Sequence, residues 1–198
     1  MSTKAPVSLG DIIAGIIFIL IGLTVFVIRL NHPGPYAMPH GAAFYSALIL
    51  LPIGGLIIWT GTGGFVRRMA VIVAVIATLP CIYSIGGESQ EVISLYATDV
   101  ENQPVDLRLW IVDREDGAWV GMGREKAFNH QLDGARLDML RAGRRVCVTP
   151  NLNQDQNTTR VIHAMKVEKY ATARIGGALG FYPLEATPST VVLRLDPC

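Results

Sequence analysis

Residues 12–28 read IIAGIIFILIGLTVFVI and carry no charge. A helix needs ~20 apolar residues to cross the hydrocarbon core of a bilayer, so this run with its flanks reads as a membrane span. Two more charge-free runs follow, at 41–66 and 69–87. Beyond them the pattern changes to short alternating runs, turns and charges. The chain reads as an anchor of three transmembrane helices over residues 1–87, carrying one water-exposed domain over 88–198. The first span is not a cleavable signal. Its apolar run is too long for such a segment, and Arg29-Leu30-Asn31-His32-Pro33 is a poor cleavage site.

The net charge of +1 is unevenly placed. Asp11 is the sole acid before Glu88, and Lys4, Arg29, Arg67 and Arg68 are the sole Lys or Arg residues there. The tail holds the other 15 acids and 13 bases and is near neutral. No basic stripe points to nucleic acid as a partner. In a three-span protein Lys4, Arg67 and Arg68 share one side, while Arg29 shares the other with the tail. The bias of basic residues toward the cytoplasm then places the amino terminus inside, and the tail in the periplasm of a bacterial inner membrane. No span carries an ionisable residue near its centre, which argues against a transporter or channel. Gly10, Gly15 and Gly22 in span one, and Gly54 and Gly55 in span two, give small-residue faces. They suit packing within the bundle or against another membrane protein. Pro52 is expected to kink span two.

In the tail, 91–98 (EVISLYAT) and 105–112 (VDLRLWIV) alternate as strands, and 113–117 is a turn closing a hairpin with 118–122. The spacing of Phe128, Leu132, Ala135, Met139 and Leu140 predicts a helix over 126–142, ended by Gly143. A short strand is expected at 146–148 and a polar loop at 149–156. A second helix over 159–178 is expected, capped by Asn157 or Thr158, with a last strand at 191–195. This order implies an α+β domain around a mostly antiparallel sheet. Cys81 reads as a small apolar side chain in span three. In an oxidising compartment Cys147 and Cys198 could pair, although both read first as free thiols. No cysteine–histidine spacing suggests a metal site.

Leu107-Arg108-Leu109-Trp110-Ile111-Val112-Asp113, with Asp116-Gly117-Ala118-Trp119-Val120, resembles the hairpin of the nitroreductase-type flavin split β-barrels. That family belongs to the pyridoxamine-phosphate-oxidase-like superfamily, near the deazaflavin-dependent reductases. Leu140-Arg141-Ala142-Gly143 with Val146-Cys147-Val148, the run Met165 to Tyr170 with Ile175-Gly176, and Ser189 to Pro197 resemble further segments in the same order. The resemblance covers nearly all of the tail and none of the spans. It implies a six-stranded split barrel able to hold FMN or a deazaflavin, often at a dimer interface. It also places part of the cofactor site at the strand-to-helix junction of Gly123, Arg124 and Lys126. A helix N-terminus beside two bases suits a phosphate, but a glycine-permitted turn with solvated charges suits the same residues. Trp119 and Trp110 can stack on a ring, though they read first as half-buried hairpin partners. His130 and His163 read as solvated helix residues, Tyr170 and Arg174 as packing together at i, i+4, and His32 and His40 as loop residues.

The sequence departs from that family. The turn after the first strand, residues 99–104, is acidic where deazaflavin-dependent relatives have a basic one. The hairpin arm expected after Val148 is missing from the reading. These departures favour a non-catalytic accessory subunit of a larger membrane complex, redox or photosynthetic, with no cofactor. The alternative is a membrane-anchored FMN- or deazaflavin-dependent quinone or nitro reductase. No Ser/His/Asp arrangement and no paired carboxylates suggest hydrolysis.

Overall fold

The computed structural model describes residues 7–30, 42–60 and 65–198, without the side chains of Thr60 and Arg67. Lys4, His32, His40 and the proline-rich stretch at 33–39 lie outside the described residues. The chain divides into two compact units, one ending at Gly87 and one running from Glu88 to Cys198.

The first unit holds α1 (Leu9–Leu30), α2 (Ala42–Thr60) and α3 (Phe65–Glu88, continuing to the unit boundary). All three are long and apolar enough to cross a membrane. Ser8 and Asp11 close the start of α1 reciprocally. The Ser8 N–H and hydroxyl donate to the Asp11 carboxylate at 3.1 and 2.8 Å, and the Asp11 N–H donates to Ser8 Oγ at 3.2 Å. This is a capping box, and it explains a buried acid at a helix N-terminus. Arg29 donates to Ser84 Oγ at 3.0 Å, which sets the end of α1 level with the end of α3.

The interior of this unit is made of small residues: Ala43, Ala47, Ala74, Ala77 and Cys81 are buried beside Val25 and Leu50. The large aliphatic side chains point outward, with Ile13, Leu20 and Ile76 about half exposed or more. Water would not tolerate such a surface, but lipid does, and close backbone approach then drives association. A β-carbon on Gly15 would lie 2.7 Å from the Gly54 carbonyl oxygen, and one on Gly54 would lie 2.8 Å from that of Gly15. Gly22 meets the Ala47 carbonyl in the same way at 3.2 Å. These three glycines are used within the bundle. Gly55 faces open space, and the nearest atom to Gly10 is the neighbouring Ser8 hydroxyl at 3.7 Å.

The second unit is a closed antiparallel barrel in the order β1-β2-β3-β6-β5-β4, the six strands that the resemblance implies. Its strands are β1 (Val92–Thr98), β2 (Pro104–Arg114), β3 (Gly117–Gly123), β4 (Leu137–Arg141), β5 (Arg144–Asn153) and β6 (Thr190–Pro197). Inward residues fill the lumen: Ile93, Leu95, Leu107, Leu109, Ile111 and Val120 are joined by Met139, Val148, Leu193 and Leu195. Period-2 alternation puts Trp110, Val112, Trp119 and Val192 on the outer face. There α5 (Gln156–Lys169) and α6 (Ala171–Ala178) cover them with Ile162, Tyr170 and Ala173.

Several expectations change. The helix expected over 126–142 is only α4 (Arg124–Asn129), followed by β4. Ala142 (φ 47°) and Gly143 (φ 76°) form a two-residue hairpin turn into β5, with Arg141 paired to Arg144. Two consecutive positive φ values match the twist of a tight hairpin. The polar loop expected at 149–156 is mostly strand: Asn151, Leu152 and Asn153 pair with Arg194, Leu193 and Val192, so the barrel arm is present. Pro150 is tolerated because β4 pairs only with 144–148, leaving that edge of β5 free of a ladder. Finally, Cys147 and Cys198 are disulfide-bonded, tying the outer ends of β5 and β6 together.

The helix expected over 159–178 starts earlier and breaks at Tyr170. Asp155, not Asn157 or Thr158, caps α5 by accepting from the N–H groups of both at 3.2 and 2.9 Å. Tyr170 has an extended backbone (φ −103°, ψ 109°) and is 1% exposed. The β1–β2 ladder ends at Val92–Trp110, one pair short of Glu91–Ile111. The Tyr170 hydroxyl occupies that gap. It accepts from the Ile111 N–H at 2.9 Å and lies 2.6 Å from the Ile111 carbonyl and 2.9 Å from that of Glu91. One phenol proton cannot serve both carbonyls, and Lys169 Nζ supplies a second donor to Ile111 at 2.8 Å.

Two substitutions check these contacts. Gly54→Val is expected to destabilise the helix bundle by about 1–3 kcal/mol through overpacking, read as a lower midpoint in SDS titration, while Gly55→Val leaves that midpoint in place. Tyr170→Phe keeps the ring but strands the Ile111 N–H. It is expected to lower barrel stability by about 1–3 kcal/mol, read by near-ultraviolet circular dichroism of the full chain in detergent.

Candidate functional site

Gly123 ends β3 and precedes α4 with ordinary extended geometry (φ −67°, ψ 141°), and a β-carbon there would meet nothing. No conformational demand for glycine exists at this position. The first N–H of α4, from Arg124, is already given to the Ser189 carbonyl at 2.6 Å. The helix has 6 residues, too short for a useful dipole. The Arg124 N–H is therefore not open to a phosphate at the junction of Gly123, Arg124 and Lys126.

Arg124 does line a cavity of about 250 Å³, with Phe128, Gln154, Gln156, Thr159 and Thr190 among its walls. Several polar groups there serve their own chain. The Asn153 side chain accepts from the Asp155 N–H at 2.8 Å, and the Thr159 hydroxyl donates to the Asp155 carbonyl at 3.1 Å. The volume falls below the ~300–1,000 Å³ of most small-molecule pockets. What remains, a guanidinium beside amides and one phenyl ring, suits a small anion or one edge of a larger ligand.

Lys126 is exposed on α4 and does not line this cavity. Its charge lies near His130, whose pKa is held below the usual value by burial first and by Lys126 second. Trp119 is elsewhere. It is 3% exposed in the outer cluster under α5 and α6, and its Nε1 donates to Asp116 Oδ1 at 2.9 Å. The Arg114 guanidinium lies 5.9 Å from its ring centroid. The structure thus separates Trp119 from Arg124. Trp110 and Trp119 are not cross-strand partners either: Val112 faces Trp119, and Trp110 stacks on Tyr170 at 4.9 Å and 12°.

The sequence reading missed a buried polar cluster on α5. His163 is 3% and Lys166 6% exposed. His163 Nε2 donates to the Pro183 carbonyl at 2.9 Å, its ring stacks on Tyr182, and its Nδ1 is buried without a partner. Burial pushes its pKa down, against the Pro183 hydrogen bond and with the Lys166 charge. Lys166 Nζ donates to the Gly121 carbonyl at 3.3 Å and lies 5.6 Å from the Tyr182 ring centroid. A β-carbon on Gly121 would sit 3.1 Å from that amino group. Lys166 thus crowds the space beside Gly121, and desolvation pushes the lysine down to about 8. A histidine and a lysine on one helix face were the available signal, but the polar helix sequence masked their burial. Arg174 does not pack on the Tyr170 ring; its guanidinium turns back to the carbonyls of Val167 and Glu168.

A second, open hollow of about 440 Å³ lies between Asp113, Met165 and Glu168. Beside it Arg141 holds Asp113 through paired bonds of 2.7 and 2.6 Å and reaches Glu91 at 2.8 Å, while Lys169 meets Glu91 at 2.5 Å. The Arg141 hydrogen bonds hold Asp113 below the usual carboxylate range. For Glu91, burial opposes ionisation, but the bonds from Lys169 and Arg141 prevail and lower its pKa. These groups are partly solvated, so each pair contributes at most ~1 kcal/mol. They clamp β1, β2, β4 and α5 together at one rim. No group of His, Cys, Asp and Glu among the described residues is placed to hold a metal.

No family model and no curated protein matches the sequence. Solved structures with a similar arrangement include HutZ, a heme storage protein from Vibrio cholerae, at 11% identity, 58% of this chain, 87% of that chain and a TM-score of 0.40. A putative pyridoxamine 5'-phosphate oxidase from Listeria innocua matches at 14% identity, 58% of this chain, 89% of that one and a TM-score of 0.37. Campylobacter jejuni ChuZ matches at 10%, 83% of this chain, 64% of that one and a TM-score of 0.42.

The buried lysine gives a checkable sign. Its pKa is lower in the fold than the ordinary 10.5, so the unfolded chain binds more protons between about 8 and 10.5 and stability rises with pH across that window. Below it the fold must bury an ammonium. Lys166→Met is expected to stabilise the barrel at pH 7 by about 1–3 kcal/mol. The gain should shrink toward pH 10.5 in thermal melts, and a destabilised variant at pH 7 would contradict it.

Proposed function

We propose that this protein is an integral membrane, non-catalytic subunit of a larger membrane complex, its barrel domain a degenerate member of the nitroreductase-type flavin split barrels. The observation that carries this reading is the site itself. The lumen is filled by the barrel's own side chains, and of Gly123, Arg124, Lys126 and Trp119 only Arg124 lines the cavity at the α4 junction. The acidic turn after β1 supports it too, since Asp99 spends its carboxylate on the N–H groups of Glu101 and Gln103 at 2.9 and 2.8 Å. The Cys147–Cys198 disulfide supports an oxidising compartment for the barrel. That agrees with a cytoplasmic amino terminus and a periplasmic tail in a bacterial inner membrane. The flavin-barrel resemblance suits a redox or photosynthetic energy-transducing complex as the partner. The glycine faces no longer argue for that partner, because Gly15, Gly22 and Gly54 are used inside the bundle.

Arg124 in the wall of its cavity favours the second reading, a membrane-anchored FMN- or deazaflavin-dependent reductase of quinones or nitro compounds. Bound there, the cofactor would supply hydride transfer, and Arg124 would hold its anionic portion.

One purification tests both. In mild detergent, without reductant, the protein is expected to run in a defined large complex on native gels, to carry no stoichiometric flavin absorbance, and to show two alkylation-resistant cysteines by mass. A yellow chromophore in a lone protein would replace the first reading with the second. Two freely alkylated tail cysteines would move the barrel to the cytoplasm.

A further inference from the structure

The barrel carries an exposed apolar surface that its own packing does not explain. Ile175, Leu179, Phe181 and Leu184 are 51–59% exposed. They lie on α6 and on the segment directly after it, and no residue from 175 to 184 is charged. Arg174 and Glu185, both exposed, border the run. The segment is held in place from beneath. The N–H groups of Phe181 and Tyr182 donate to the Gly176 carbonyl at 2.7 and 3.1 Å, and His163 holds the Pro183 carbonyl.

Chain connection says what lies close to this surface. Residues 89–91 are all that separate the end of α3 from the start of β1, and three residues span at most ~10 Å. The start of α6 sits on this short stretch. The Thr172 N–H reaches Gln90 Oε1 at 3.4 Å, and the Tyr170 hydroxyl lies 2.9 Å from the Glu91 carbonyl. At 1.5 Å of rise per residue, Ile175 and Leu179 follow Thr172 by about 5 and 10 Å along the helix. An uncharged, apolar, outward-facing surface thus starts from the short stretch of chain that follows α3.

We infer that this surface, centred on Ile175, Leu179 and Phe181, docks into the lipid bilayer at the boundary between headgroups and acyl chains. The inference rests on the membrane reading above. The chemistry is apolar insertion, since the run carries no base of its own, and Arg174 spends its guanidinium on the end of α5. Zwitterionic lipid is therefore sufficient, and the contact is insensitive to salt.

The test uses the full chain in nanodiscs of phosphatidylcholine with brominated or ordinary acyl chains. Trp59, 82% exposed at the end of the α2 span, reports whether the helices are in the bilayer. Phe181→Trp is compared with Val100→Trp, an exposed position in the turn at the far end of β1. Bromine is expected to remove roughly half of the added emission at 181, as for a ring inserted at the interface, and none at 100, at low and high salt alike. Equal quenching at both positions, or none at 181, overturns the inference. A residue 181 shielded from acrylamide yet unquenched by bromine would mean that a protein or a second copy covers the surface instead, and would also overturn it. An unquenched Trp59 would defeat the membrane reading and this inference together.

Discussion

The barrel depends on a mismatch at one seam. β1 stops one residue before β2 runs out of need for it, leaving the backbone of Ile111 without a ladder partner on its β1 side. A buried peptide group left unpaired costs about 1–3 kcal/mol, so the seam demands a substitute. Tyr170 supplies it from the opposite direction, reaching through the outer layer from the break between α5 and α6. The helix pair therefore has to stop and turn at this residue. The extended backbone there, the stack of Trp110 on the phenol ring, and the nearby clamp of Glu91, Asp113, Arg141 and Lys169 all belong to the same joint. One hydroxyl fixes where a strand begins, where a helix ends, and how the outer layer sits on the barrel.

The helical unit follows a reverse economy. Its centre is made of glycine, alanine and cysteine, and its periphery of isoleucine, leucine and valine. In water the large side chains would be buried and the small ones indifferent. Where the surroundings are as oily as the protein, what distinguishes one packing from another is how close two backbones come. Gly15 and Gly54 set that approach for α1 and α2.

The three apolar helices and the β2–β3 hairpin were legible in the sequence, because both rest on local patterns: an uninterrupted apolar run, and alternation around a charged turn. The region 126–153 was not. Leu132, Ala135 and Met139 fall at helical spacing by coincidence, while Leu137 and Met139 alternate over too few residues to outweigh them. The turn Ala142-Gly143 lacks the asparagine or aspartate that usually announces such a hairpin. Thr149, Asn151 and Asn153 looked like a loop because only one face of that strand is buried. The disulfide was legible only as a minor alternative for a different reason: its partners are 51 residues apart and meet only through the β5–β6 register. At the candidate site, Arg124 was legible as a charge near a glycine turn. Its separation from Trp119 was not, because Trp119 takes the outer face of β3 while Arg124 begins α4.

The fit between Gly121 and Lys166 couples the histories of two positions 45 residues apart. The amino group lies 3.1 Å from where the first carbon of a side chain at 121 would be. A substitution at 121 would therefore ask the lysine tip to give by a few tenths of an ångström in a desolvated site, whereas a shorter residue at 166 relieves the crowding with glycine still in place. What either position tolerates thus depends on the residue at the other.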